Sequence, residues 1–195
     1  MCIIIVKPRG IAFPTETILD YCFRRNPHGA GIMLAAENKL IIRKGLMSRN
    51  EFYDVFHNLE EQFPDSPFIF HFRWATDGGI NPGLCHPFPI DNRKRVLLAR
   101  QPSNVKIAVA HNGVIPKWSG LGGDVSDTFL YVKNDLFPAL KDDPRLLLDA
   151  ENRKRIAEET GSRLAFMNYR GQICTIGGFY QYNGIYYSKP IPAYL

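Results

Sequence analysis

A cysteine stands at position 2, directly before the apolar run Ile3 to Val6. If Met1 is removed, which a small second residue permits, the thiol and a free α-amine share one residue. The amine titrates at ~7.7–8.0 and the thiol at ~8.5, so the amine can take the thiol's proton near neutral pH. That arrangement makes a nucleophile without a histidine. Three further segments set polar groups behind an apolar strand or at a helix start, where a scaffold presents functional side chains: "HFRWATDGG" (71–79), "AHNG" (110–113) and "SDT" (126–128). The planar fork of Arg73 suits a carboxylate held by two parallel hydrogen bonds, and equally an ordinary ion pair. Asn112 and Gly113 offer a carboxamide NH2 and an unobstructed backbone N–H side by side. Two such donors make an oxyanion hole, although an Asn-Gly pair is also a simple turn. Asp127 reads either as an acid compensating a helix start or as the receiver of a substrate ammonium. His71, His86 and His111 read as core or strand-end residues, since no carboxylate or cysteine partner lies at metal-ligand spacing. Neither a metal nor a cofactor is expected.

These groups need elements to hold them. Residues 2–6 read as a short buried strand. "TETILDYCFRR" is a helix with Thr15 as N-cap and Ile18, Leu19, Cys22 and Phe23 on one stripe. "GIMLAAENKLIIRKG" is a hairpin turning near Glu37-Asn38-Lys39. Ser48 and Glu51 form a capping box, and Phe52, Val55, Phe56, Leu59 and Phe63 repeat at helical steps as core aromatics and aliphatics. "PFIFHFRWAT" is a buried strand that enters a long Gly- and Pro-rich loop, of a length that is usually functional or disordered inside a compact domain. "RVLLAR" and "VKIAVAHNG" read as strands. "VSDTFLYVKNDLF" is a helix capped near Ser126, and "PRLLLDAENRKRIAEET" is a second one closed by Gly161. Strands with turns at Arg170-Gly171 and Asn183-Gly184 complete the chain. This order suggests helices layered on antiparallel sheets, an α+β fold, rather than βαβ alternation.

With 195 residues, 45% of them hydrophobic, the chain can bury one sizeable core, and a single domain over residues 2–195 is expected. The net charge of +5 comes from short clusters, Arg24-Arg25, Arg43-Lys44, Arg93-Lys94-Arg95 and Arg153-Lys154-Arg155, which read as solvated faces, so nucleic acid is not indicated. The scattered Cys2, Cys22, Cys85 and Cys174 argue for a reducing compartment. The run "CIIIV" is too short for a signal-peptide core or a membrane span, so a cytoplasmic protein without membrane association is expected.

Taken in order, Cys2, "NPHGAGI" (26–32), "RWAT" (73–76) followed by "HPF" (86–88), "AHNGVI" (110–115), "SDT" (126–128) and "NGIYYS" (183–188) resemble the class II glutamine amidotransferase domain of the N-terminal-nucleophile hydrolases. The resemblance implies a four-layer αββα sandwich in which Cys2 attacks the side-chain amide of glutamine. Asn112 and Gly113 would hold the oxyanion. Arg73, with Trp74 and Thr76 of the same motif, would bind the α-carboxylate, and Asp127 the α-ammonium. Ammonia would leave, and water would hydrolyse the glutamyl thioester to glutamate. The family's better-known members have histidine where this chain has Asp77. No synthase domain follows within the chain, which implies a separate partner that accepts ammonia, or release to solvent. Alternatives on the same scaffold are a non-catalytic binding or regulatory protein and a hydrolase of another γ-glutamyl amide.

Overall fold

The computed structural model describes residues 1–192, so the last three residues of the expected domain lie outside the described residues. The chain runs through β1 (Ile3–Lys7), α1 (Glu16–Arg25), β2 (Ala30–Ala36), β3 (Lys39–Leu46), α2 (Arg49–Gln62), β4 (Phe68–Phe72), β5 (Phe88–Pro89), α3 (Lys94–Leu98) and β6 (Ile107–Asn112). It continues through α4 (Asp127–Tyr131), a π-helical turn (Val132–Leu136), α5 (Phe137–Leu140), α6 (Ala150–Thr160), β7 (Arg163–Asn168), β8 (Ile173–Ile176), β9 (Tyr180–Tyr182) and β10 (Ile185–Tyr187). The strands form two antiparallel sheets, of order β3-β2-β4-β1-β10-β9 and β5-β6-β7-β8. The fold is α+β.

The period-2 alternation of the strands sorts the core into three clusters. Ile3 and Ile5 of β1, with Phe70 and Phe72 of β4, face α1 and α2 and meet Leu19, Cys22, Phe52 and Phe56. Ile4 and Val6, with Ile69, face the other way and meet Ala108, Ala110, Ala165 and Met167 of the second sheet. On its far side the second sheet presents Ile107, Val109, Leu164 and Phe166 to Phe129, Val132, Leu136 and Ile156 of the later helices.

Local chemistry starts the helices as expected. Thr15 Oγ1 accepts from Ile18 N (3.3 Å), Ser48 Oγ from Glu51 N (3.2 Å) and Ser126 Oγ from Phe129 N (3.2 Å). Glu51 Oε2 accepts from Met47 N (2.8 Å), one residue before the Ser48 cap, and so ties the chain entering α2 to its first turn. Gly161 closes α6 in the left-handed conformation.

Three expectations fail. The segment "PRLLLDAENRKRIAEET" is not one helix: a 3-10 turn over Pro144–Leu148 ends at an extended Asp149, which caps α6 at Ala150. "RVLLAR" is not a strand: Lys94–Leu98 is a short helix whose Val96 and Leu97 N–H groups bond Arg93 O. Only Leu97 in it is buried, and the strand position beside β6 is taken by Phe88–Pro89. Nor is Arg43-Lys44 a solvated face, because Lys44 is 1% exposed. Alternation places it on the inward side of β3 with Leu40 and Ile42, and its Nζ donates to Gly83 O (2.9 Å) and Leu97 O (2.6 Å) over the Phe88 ring.

Candidate functional site

The register brings the proposed groups to one end of the two sheets. Ile3 pairs with Phe72 across β1 and β4, so Cys2 and Arg73 leave the sheet side by side. Both continue the alternation that points Ile4 and Ile69 between the sheets, as Asn112 continues that of Ala108 and Ala110. Cys2, Arg73, Trp74, Thr76, Gly113 and Asp127 line one cavity of about 20 Å³. The space is close to that of one water molecule.

Cys2 is buried. Trp74 N donates to its Sγ (3.4 Å), and Sγ lies 3.6 Å from Trp74 O. Burial pushes the thiol above its ordinary pKa, while the Trp74 N–H and the Arg73 charge pull it down. The Cys2 nitrogen is a peptide nitrogen while Met1 precedes it. Arg73 is 3% exposed and uses its fork on its own loop, Nη1 on Gly79 O (2.7 Å) and Nη2 on Asp77 O (3.0 Å). Burial lowers its pKa. A guanidinium carries five N–H donors, so these two bonds leave capacity for a ligand. The "RWAT" segment is braced from outside: Ala75 N donates to His28 Nδ1 (3.0 Å), and the His28 and Trp74 rings lie 4.9 Å apart. Trp74 and Thr76 are exposed. Asp77 tethers the loop, its Oδ2 accepting from Gly120 N (2.9 Å). Gly78 follows at φ 72°, where a Cβ would sit 2.7 Å from the Val125 backbone, so only glycine allows this approach.

Asn112 is 1% exposed and does not itself line the cavity. As placed, its Nδ2 bonds Ser188 Oγ (3.0 Å), which also accepts from Ile4 N (2.8 Å). Its Oδ1 is buried with no partner among the described residues. Rotating the carboxamide by 180° would let the Ser188 hydroxyl donate to Oδ1 and would turn the NH2, a donor, towards the unpartnered side. Gly113 has to be glycine because a Cβ there would meet Ser162 Oγ at 2.0 Å. Asp127 is not the helix cap, a role Ser126 fills. Its Oδ2 accepts from Ile115 N (2.7 Å), and its Oδ1 from Thr128 N (2.6 Å) and Thr128 Oγ1 (3.1 Å). It fixes the segment after Gly113 and keeps lone pairs at the cavity wall.

His86, His111, Ser126 and Thr128 also line the cavity, and reading the sequence did not assign them to it. The three buried histidines are core residues as expected, and they are linked to one another: His86 Nδ1 lies 2.7 Å from His71 Nε2, which lies 3.0 Å from His111 O. His111 Nδ1 meets Thr128 Oγ1 at 2.8 Å. Because the Thr128 hydroxyl donates to Asp127, the His111 proton belongs on Nδ1 and its Nε2 is a bare acceptor. Burial lowers all three, His71 to about 3, His111 to about 4 and His86 well below its ordinary value. They are therefore neutral near pH 7. Among the described residues no group of three or more His, Cys, Asp or Glu is arranged to hold a metal ion, and no helix is long and apolar enough to cross a membrane.

No protein-family model matches this chain, and no curated protein matches it significantly.

Proposed function

We propose that this chain is an N-terminal-cysteine amidohydrolase of the class II glutamine amidotransferase type, on a four-layer αββα scaffold of the N-terminal-nucleophile kind. The observation that carries the proposal is the convergence of Cys2, Arg73, Gly113 and Asp127 on one cavity from four distant parts of the chain. Removal of Met1 frees the Cys2 amine, which takes the thiol proton as Sγ attacks the glutamine side-chain carbon. Asn112 and the Gly113 N–H stabilise the oxyanion, a contribution whose loss typically lowers kcat by ~10² to 10³. The proton passes from the amine to the departing nitrogen, ammonia leaves, and water cleaves the thioester to give glutamate and the free thiol. Arg73 takes the substrate α-carboxylate when the 74–79 loop lifts and its bonds to Asp77 O and Gly79 O exchange for the ligand. Asp127 receives the α-ammonium. Ammonia goes to a separate acceptor protein or to solvent.

Intact mass of the protein from its native host, followed by incubation with glutamine, tests the proposal. Loss of Met1 and glutamate release that vanishes in Cys2→Ala are the expected results; a retained Met1, or release indifferent to Cys2→Ala, refutes it. A non-catalytic binding protein on the same scaffold is the second reading, favoured by the closed cavity and by the Arg73 fork's bonds to its own loop. Glutamine binding by a Met1-bearing chain, without turnover, would select it.

A further inference from the structure

The chain start is held by donors and surrounded by positive charge. Asn26, 2% exposed, donates from Nδ2 to Met1 O (3.0 Å) and Phe72 O (3.2 Å). Lys189, one residue past the Ser188 that braces Asn112, donates from Nζ to the same Met1 O at 2.5 Å. That carbonyl is bonded to Cys2 N, and the two bonds between them sum to about 2.6 Å, so Nζ lies within about 5 Å of the nitrogen that becomes the terminal amine. The titratable groups acting on Lys189 are the Cys2 and Cys22 thiols, Arg25 at the end of α1 and Arg163 at the start of β7. Arg73 faces Cys2 from the end of β4.

We propose that Lys189 is a positioning residue: once Met1 is gone, its ammonium points at the Cys2 α-amine and keeps that amine free of a proton. The inference rests on the reading of Cys2 as the nucleophile. A neutral amine has a lone pair that accepts an N–H bond from Lys189; an ammonium has none and is repelled by the like charge. The resting enzyme therefore holds the base in its working form. After the amine takes the thiol proton, the same repulsion favours handing that proton to the departing nitrogen. The present terminus already feels this environment, since burial and then Lys189 hold the Met1 amine below its usual pKa.

The test uses full-length, Met1-free protein, verified by intact mass, as wild type, Lys189→Met, Lys189→Gln and Lys189→Arg. Two profiles are recorded against pH: the rate of reductive methylation of the terminal amine, read by mass spectrometry, and glutaminase kcat/KM. In Lys189→Met and Lys189→Gln the amine's midpoint and the acid limb of kcat/KM should both rise by about one pH unit, a tenfold loss of free amine at a given acidic pH, and Lys189→Arg should restore both. Unmoved methylation midpoints in folded Met and Gln variants would overturn the proposal. Failure of the nucleophile assignment looks different, because activity is then absent or independent of Cys2 while the methylation midpoint still reports on Lys189.

Discussion

Arg73 and Asn112 sit on neighbouring strand ends and should fail in different ways when truncated. If Arg73 grips the substrate in both ground and transition states, Arg73→Ala raises KM for glutamine far more than Asn112→Ala does. If Asn112 meets charge only in the tetrahedral intermediate, Asn112→Ala lowers kcat by ~10² to 10³ with little change in KM. Steady-state kinetics on both variants separates the two, and the opposite pattern would mean that their roles are exchanged. Residue types made this much legible: a guanidinium fork, a carboxamide beside a glycine and a carboxylate at a helix start each offer few chemistries. What surrounds them was not legible. The Arg73 bonds to Asp77 O and Gly79 O run to backbone atoms, which any residue supplies. Ser188 reaches Asn112 only because β10 lies beside β1, a pairing of chain ends that no local pattern encodes. The same adjacency brings Lys189 to Met1.

At the scale of elements, periodicity succeeded where a side-chain stripe had a partner and failed where the segment was short. The capping box and the three- and four-residue spacing of α2 located it because each cue agreed with the others. "RVLLAR" offered only a run of apolar residues, which helix and strand share, and a run of that length cannot decide between them. Hydrogen bonds from neighbours decided it, with Lys44 taking Leu97 O and Phe88–Pro89 taking the edge of β6. The best test of an element is the aromatic seam under α2. The Phe52 ring lies within 6.4 Å, centroid to centroid, of the Phe23, Tyr53, Phe56, Phe70 and Phe72 rings, and Phe52 has no exposed surface. Phe52→Ala should therefore lower unfolding free energy by about 3–5 kcal/mol in denaturant titrations. Val55→Ala, on the half-buried flank of the same helix, should lose much less. Equal losses would mean that α2 is not docked through this seam.

The molecule as a whole carries an unusual load of buried bases, and that load sets its response to acid. His71, His86 and His111 are 0–4% exposed and sit together between and behind the sheets, and Lys44 is equally enclosed. Burial depresses every one of them: His71 to about 3, His111 to about 4, His86 well below its usual value, and Lys44 to about 7. A base whose folded pKa lies below its unfolded value binds fewer protons folded than unfolded throughout the interval between the two, so stability rises with pH across that interval. For His71 the interval runs from about 3, and for His111 from about 4, up to the unfolded value of about 6.5, and stability is lost as pH falls through it. Each proton taken up on unfolding steepens the dependence by about 1.4 kcal/mol per pH unit, so three histidines approach about 4 kcal/mol per unit near pH 5. Lys44 acts in a separate window, from about 7 to about 10.4, where its contribution also improves with pH. As a neutral amine it still has two protons for Gly83 O and Leu97 O, so losing its charge breaks neither bond. Denaturant midpoints measured at pH 4.5, 5.5 and 6.5 should fall steeply towards acid, and His71→Gln should remove about a third of that slope. A flat profile from 6.5 to 4.5 would mean that the histidines are solvated or already protonated in the folded protein.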